Sequence, residues 1–275
     1  MAAGEDQEAP SLLSLRSEAR TIFGSDAEGY DAGRPGYPAE VYDILASRCG
    51  LRAGASVVEI GAGTGLVTRR LVAAGASVVA VEPDPNMATH LAAAVSGDVE
   101  IIRGTFEQAA LPQDRFDLAV AATSFHWVDQ DAGLPKLGQV IRPGGWAAVW
   151  WTIFDDPDRQ DPFRDVLQAR TGDGDPGGQR NVQFQMDAAG RCRDLAERAR
   201  LTEVSGKLIR WTAELDTAQL RALYASMMRI RLLPDGDRRR ILDQIYSLAD
   251  QNFGGRVERP FMTAMYTGRR PDRDG

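Results

Sequence analysis

Cysteine is scarce in this 275-residue chain. Cys49 and Cys192 are the whole complement, too few and too far apart for a disulfide framework or a thiolate zinc site, and a reducing compartment is expected. Histidine is equally scarce, with His90 and His126 alone, so no metal centre built on imidazoles is expected. No apolar run reaches the ~20 residues of a membrane-spanning helix. The stretch from Met1 to Pro10 is acidic and lacks the apolar core of a leader, so no secretory signal is expected and the cytoplasm is the expected location. A basic surplus is missing too. Residues 1–150 carry 11 Lys+Arg against 19 Asp+Glu, and residues 151–275 carry 21 against 20, a balance that excludes an ordinary nucleic-acid binder. In the second half Lys207 is the lone lysine and the other cations are arginine, a guanidinium-rich composition that suits planar anions. The rest, 43% hydrophobic and 26% charged, is ordinary for a globular protein, and the length allows one large domain or a domain with a lid.

What is present centres on Val57-Val58-Glu59-Ile60-Gly61-Ala62-Gly63-Thr64-Gly65. The apolar run Ser56 to Ile60 reads as a buried parallel strand, and Leu66 to Ala74 reads as a helix with Leu66, Val67, Leu71 and Val72 at helical spacing. Between them, Gly61, Gly63 and Gly65 suit a turn that needs backbone angles closed to other residues and lets a ligand approach the bare chain. A second apolar strand, Ser77 to Val81, ends in Glu82 about 20 residues on, where a carboxylate can accept hydrogen bonds from ribose hydroxyls. A dinucleotide fingerprint would need a third glycine where Leu66 stands, and a phosphate-binding Walker loop would need a lysine that is absent. Glu59 inside the strand sits badly with a pyrophosphate and well with a cationic ligand.

E-I-G-A-G-T-G (59–65) followed by V-E-P-D (81–84) resembles motifs I and II of the class I S-adenosylmethionine (SAM)-dependent methyltransferases. The resemblance implies SAM as cofactor, held by Glu59, Gly61, Ala62, Gly63, Thr64, Gly65, Glu82 and Pro83. Upstream, Tyr30 to Pro38 reads as a Gly/Pro-punctuated loop, and its Y-x-x-x-R-P-x-Y-P pattern is similar to a subgroup that includes trans-aconitate methyltransferase-like enzymes. There Tyr30 and Arg34 would cover the methionine end of the cofactor. Met87, in a helix from Pro85 to Val95, stands where relatives pack an apolar side chain on adenine. Thr105 and Phe106, after a third strand Val99 to Arg103, replace the acidic residue many relatives carry, so adenine would be held by main-chain groups and packing. Thr123-Ser124-Phe125-His126-Trp127 follows the fourth strand, Phe116 to Ala122, and Ile141-Arg142-Pro143-Gly144-Gly145 turns into a fifth, Trp146 to Trp151. Both strengthen the resemblance, which spans about residues 22 to 154.

The expected architecture is therefore a doubly wound α/β, Rossmann-like sheet of seven mostly parallel strands with the last antiparallel. Residues 1–21 read as a disordered or helical extension, with a helix expected over Ser11 to Phe23. Residues 22–275 form one domain: a lid (22–50, with a helix from Ala39 to Cys49), a core (51–154), and a C-terminal sheet and substrate cap (155–275). Within the last part the expected elements are a linker Thr171 to Gln179, a helix Asp187 to Ala199 and a sixth strand Glu203 to Trp211. Cap helices Thr217 to Ile230 and Asp237 to Asn252, inserted before the final strand Arg259 to Thr267, complete it.

The expected chemistry is in-line transfer of a methyl group to a small molecule, with Thr123 and Ser124 at the cofactor and Phe125, Trp127, Trp151 and Phe154 walling a substrate pocket. His126, at the carboxyl edge of the sheet, is the candidate base for a hydroxyl acceptor, or a hydrogen-bond donor that orients a carboxylate, which needs no base. O-methylation is favoured. N- or C-methylation, and SAM binding without transfer, share every motif and stay open, as does the oligomeric state.

Overall fold

The computed structural model describes residues 24–171 and 182–273. The helix expected over Ser11 to Phe23, the 1–21 extension and, apart from Thr171, the 171–179 linker lie outside these residues. The backbone builds one seven-stranded sheet in the order β3-β2-β1-β4-β5-β7-β6. Its strands are β1 (Ser56–Ile60), β2 (Ser77–Glu82), β3 (Val99–Arg103), β4 (Phe116–Ala122), β5 (Ile141–Ile153), β6 (Thr202–Asp216) and β7 (Arg256–Arg269). β1 to β5 pair in parallel, and β7 runs antiparallel between β5 and β6. β1 is buried at every position, as a strand covered on both faces must be.

Two apolar layers sandwich this sheet. On one face Val57, Val78 and Leu118 meet Val41, Leu45, Leu71 and Leu91. On the other, Val58, Ala119 and Val149 meet Phe125, Leu134, Leu137 and Leu195. The chain leaves β1 toward β2 and β3, then returns to place β4 on β1's other side. The reversal opens a crevice outside the carboxyl ends of β1 and β4, where open α/β sheets bind ligands.

Several boundaries differ from the sequence reading, each for a local reason. The helix after the glycine turn starts at Thr68, because Thr64 to Val67 are spent on further turns. The Tyr30–Pro38 segment is a loop only from Arg34 onward; its first part belongs to a helix, Ala27–Gly33, started by the Asp26 carboxylate accepting from the Gly29 N–H. Arg142 to Gly145 is an excursion within β5, since Ile141 already pairs with Phe116 before Trp146 pairs with Leu118. The helix expected over Asp187 to Ala199 is Ala188–Arg193 running into a π-turn at Asp194–Arg198. The first cap helix breaks at Ser226, giving Thr217–Ala225 and Met228–Arg231, and the second spans Asp235–Phe253.

β6 and β7 are longer than expected, and this shapes the C-terminal part. Pairing of β7 with β5 stops at Met262, whereas pairing with β6 continues to Arg256 opposite Asp216. The two-stranded overhang carries a third apolar cluster. Leu215, Val257 and Phe261 meet Leu220, Leu223 and Ile245 from the helices between β6 and β7, together with Phe154, Phe163 and Leu167.

Candidate functional site

The glycine turn needs its glycines for two different reasons. Gly61, Gly63 and Gly65 all have positive φ, at +69°, +58° and +88°, a region costly to residues with a Cβ. A Cβ at Gly61 would stand 2.5 Å from the Ser124 Cβ, and one at Gly65 would stand 2.5 Å from Leu91 Cδ1. At Gly63 a Cβ would meet nothing within 4 Å. Two of these glycines admit neighbouring protein, and Gly63 faces open space.

Glu82 joins this turn to β2. Its Oε2 accepts from the Gly63 N–H at 2.7 Å and its Oε1 from the Asp84 N–H at 2.8 Å. The Asp84 carboxylate in turn accepts from the Asn86 and Met87 N–H groups and starts the helix Pro85–Ala94, with Pro83 between the two acids. Two main-chain donors therefore hold the Glu82 carboxylate in place.

Glu59 stands inside β1, one residue before its end. It is fully buried beneath the turn, accepts from the Thr68 hydroxyl at 2.6 Å, and is pushed up to about 8 by burial, with the neighbouring Glu82 charge adding to the rise. Its hydrogen bond with Thr68 makes it a support for the turn and the helix behind it.

The end of β4 completes the floor. Ser124 Oγ donates to the Ile60 carbonyl at 2.5 Å, tying the ends of β4 and β1 across the switch point. Thr123 has a φ of +55°, an outlier for a β-branched residue. It is held there by its N–H on the Trp150 carbonyl (2.7 Å) and by its hydroxyl, which shares a hydrogen bond with Tyr37 at 2.9 Å and accepts from the Thr152 N–H at 3.4 Å. Strain that the surroundings enforce in this way clusters at functional sites.

His126 lies in a short 3₁₀ turn, Phe125–Trp127. Its Nδ1 accepts from the Trp151 indole N–H at 2.9 Å, and its ring is 4.7 Å from that of Trp127. With Nδ1 engaged as an acceptor, the neutral ring carries its proton on Nε2.

The aromatics expected as pocket walls divide. Trp127 is half-buried beside His126, while Phe154 is buried in the third apolar cluster and carries the Arg34 guanidinium 4.5 Å above its ring. Phe125 and Trp151 are core residues, at 2% and 1% exposed, and Phe106 packs with Phe125 in the same layer. Thr105 is half-exposed beyond β3, and Met87 is buried in the first turn of its helix. Arg34 also stacks on Tyr30 and donates to the Ser226 carbonyl, while its Nε is buried with no hydrogen-bond partner among the described residues.

Asp31, Tyr37, Thr68 and Arg69 were not singled out from the sequence. Asp31 and Tyr37 stand inside the 30–38 pattern, so position alone could have flagged them, but their partners are 33 to 86 residues away. Burial pushes the Tyr37 hydroxyl above its usual range despite its bond to Thr123, leaving it neutral. A cavity of about 220 Å³ lined by Ser56, Ser77, Asp98 and Arg115 lies at the strands' amino ends, on the opposite edge from these groups. Among the described residues no three His, Cys, Asp or Glu side chains cluster as a metal site would require, and no helix is long and apolar enough to cross a membrane.

The geometry agrees with comparisons to known proteins. A family model described as a methyltransferase domain matches residues 58–149, the segment that holds the turn, Glu82 and the β4 end. An uncharacterized methyltransferase of Mycobacterium tuberculosis (strain H37Rv) is 37% identical over 161 residues, 58% of this chain, and the chain spans 63% of that relative's length. A solved structure of a type II methyltransferase, so titled, from Anaeromyxobacter dehalogenans superposes with a TM-score of 0.64 at 20% identity, covering 87% of this chain and 99% of that one, a likeness of fold. An uncharacterized methyltransferase of Geobacillus kaustophilus is 31% identical over 156 residues, 54% of this chain and 71% of its own length. On this match and the family model, the chain belongs to the class I methyltransferase family.

Proposed function

We propose that the protein is a SAM-dependent methyltransferase acting on a small molecule, with the cofactor seated where β1, β2 and β4 end. The observation that carries this is the open face of Gly63, whose N–H is fixed on Glu82 while no atom fills the space a side chain would take. A ligand can press against this bare backbone and still reach the Glu82 carboxylate, which suits ribose hydroxyls. Met87 and Thr105 flank the adenine side; Tyr30, Arg34, Thr123 and Ser124 flank the methionine side, where the Arg34 guanidinium suits the amino-acid carboxylate. Bound SAM supplies an activated methyl group, so the chain's own work is to hold the acceptor in line and to keep water out.

A finer reading follows from His126 and from the resemblance to trans-aconitate methyltransferase-like enzymes: O-methylation of a carboxylate. With Nδ1 accepting from Trp151, the neutral His126 ring has no spare lone pair for a hydroxyl proton, which favours orienting an acceptor over deprotonating it. A carboxylate is ionised at neutral pH and needs only to be oriented.

Calorimetric titration with SAM, its demethylated product and NAD tests the reading. Glu82→Ala is expected to weaken SAM binding by roughly 1.5–3 kcal/mol, the range for hydrogen bonds to a charged group. NAD binding, or unchanged SAM affinity in a folded Glu82→Ala protein, would overturn it. Labelled methyl incorporation from cell extract then finds the acceptor. With that acceptor, His126→Asn is expected to raise KM about tenfold, the loss of one orienting hydrogen bond, with the pH profile unmoved. Loss of a rate limb near pH ~6.5 in that variant would instead make the histidine a base.

A further inference from the structure

Asp31 makes the densest set of polar contacts between the N-terminal helix Ala27–Gly33 and the rest of the molecule. Its Oδ1 accepts from the Thr64 hydroxyl at 2.7 Å and from Arg69 Nη2 at 2.9 Å, and its Oδ2 is 3.8 Å from His90 Nε2. Arg69 also donates through Nη1 to the Thr64 carbonyl at 3.3 Å. One ion pair therefore grips both the hydroxyl and the carbonyl of Thr64, the residue between Gly63 and Gly65.

The partners come from two separate elements. Thr64 and Arg69 follow β1, whereas His90 is in the helix that follows β2. A carboxylate that reaches all three ties its own helix to both. Close glycine contacts hold the end of the helix carrying it and the residues just before its start. A Cβ at Gly33 would stand 2.4 Å from the Ala222 backbone in the cap, and a Cβ at Gly24 would stand 2.1 Å from the Asp84 carboxylate.

An exposed ion pair would carry little weight, but Asp31 and Arg69 are each mostly covered, at 25% and 33% exposed. Burial opposes ionisation of Asp31, yet the Arg69 and Thr64 hydrogen bonds, with the charges of Arg69 and His90, outweigh it and keep the carboxyl below its usual range. Asp31 is thus a charged acceptor at neutral pH, with its hydrogen bonds directed onto the turn.

We infer that Asp31 is a positioning residue: it fixes Thr64, and through it the ligand-facing Gly63–Gly65 backbone, and it fastens the N-terminal helix to the turn and to the helix after β2. A ligand on the turn is held against a backbone that this carboxylate keeps in place. The inference rests on the turn being the cofactor seat for its consequence in binding, and on hydrogen bonds alone for its consequence in the free protein.

The test uses the full chain with Asp31→Ala, Asp31→Asn and Thr64→Val, and the demethylated cofactor product as probe. In ligand-free Asp31→Ala, amide hydrogen exchange over residues 61–70 and 27–33 is expected to rise about tenfold, as local opening becomes easier. The product's dissociation rate is expected to rise by about the same factor. Asp31→Asn keeps an acceptor for Thr64 and loses the charge on Arg69, so it should fall between; it also carries the test if the alanine variant does not fold. Thr64→Val should add little to Asp31→Ala, because both break one tie. Faster exchange at 27–33 alone, with the turn and the dissociation rate unchanged, would overturn the inference. Wild-type protein that fails to bind the product would sink the cofactor reading; exchange at 61–70 would then decide the role of Asp31, with no acceleration overturning it.

Discussion

Glu59 stands near the end of the buried strand β1, ahead of the glycine turn, with its carboxyl turned onto the Thr68 hydroxyl nine residues later. Because the folded protein raises its pKa from 4.5 to about 8, the folded state holds a proton that the unfolded chain releases between those values. The stability this gives is complete below about pH 4.5 and is lost as pH rises through about 8. At about 1.4 kcal/mol for each unit, the loss amounts to a few kcal/mol. Glu59→Gln stays neutral at every pH and keeps an acceptor for Thr68. In urea titrations at pH 5, 6.5 and 8, wild-type stability should fall with pH while the variant stays level. Parallel profiles would mean that Glu59 is ionised in the folded protein.

At the scale of elements, the glycine turn separates packing from ligand approach. Gly61→Ala incurs both the left-handed backbone and the Ser124 contact, and should destabilise the fold by about 2–5 kcal/mol. Gly63→Ala meets no protein atom, so only the backbone penalty of about 1–2 kcal/mol is expected in stability, while SAM binding should suffer far more. Thermal melts and titrations on the same two proteins check this. If Gly63→Ala binds SAM normally, the ligand does not touch the turn there. The turn was readable because glycine spacing, strand and acid are all local signals. The β5 excursion, the π-turn and the break at Ser226 were not, because each answers a distant partner. Ile141 begins pairing with Phe116 before the Arg142–Gly145 loop, the π-turn seats Leu195 in the core, and the Ser226 carbonyl accepts Arg34. The outer edge, β6, shows a further long-range device. Lys207 pairs with Glu40, Arg210 with Asp156 and Asp158, and Arg48 and Arg159 donate to its Glu203 and Trp211 carbonyls. Charges along a sheet edge discourage pairing with another chain.

Across the whole molecule, the two layers on the sheet and the third cluster under the cap are separate apolar bodies. One buried ion pair joins the third to the sheet. Asp161, fully buried ahead of the helix Pro162–Thr171, accepts from Arg259 Nε at 2.8 Å, and Arg259 Nη1 donates to the Tyr224 hydroxyl of the cap at 2.7 Å. Asp161 also accepts from the Arg164 N–H, so the same carboxylate starts that helix. The sequence shows an aspartate in an acidic loop and an arginine before a proline, with nothing to relate them across 98 positions. Removing one partner leaves the other charge buried, which costs about 3–5 kcal/mol. Asp161→Ala should therefore destabilise by that amount, and the loss should not be uniform. Hydrogen exchange should rise through residues 162–170 and 217–261, whose cluster loses its anchor, while β1 to β4 keep their protection because their layers make no use of the pair. Asp161→Asn combined with Arg259→Met removes both charges and should recover much of the loss, since an apolar replacement for a buried pair is often neutral. Equal loss of protection in β1 to β4 would show instead that the cap and the sheet unfold as one unit, and wild-type stability in Asp161→Asn alone, which keeps the acceptor for Arg164, would show that Asp161 serves only as a helix cap.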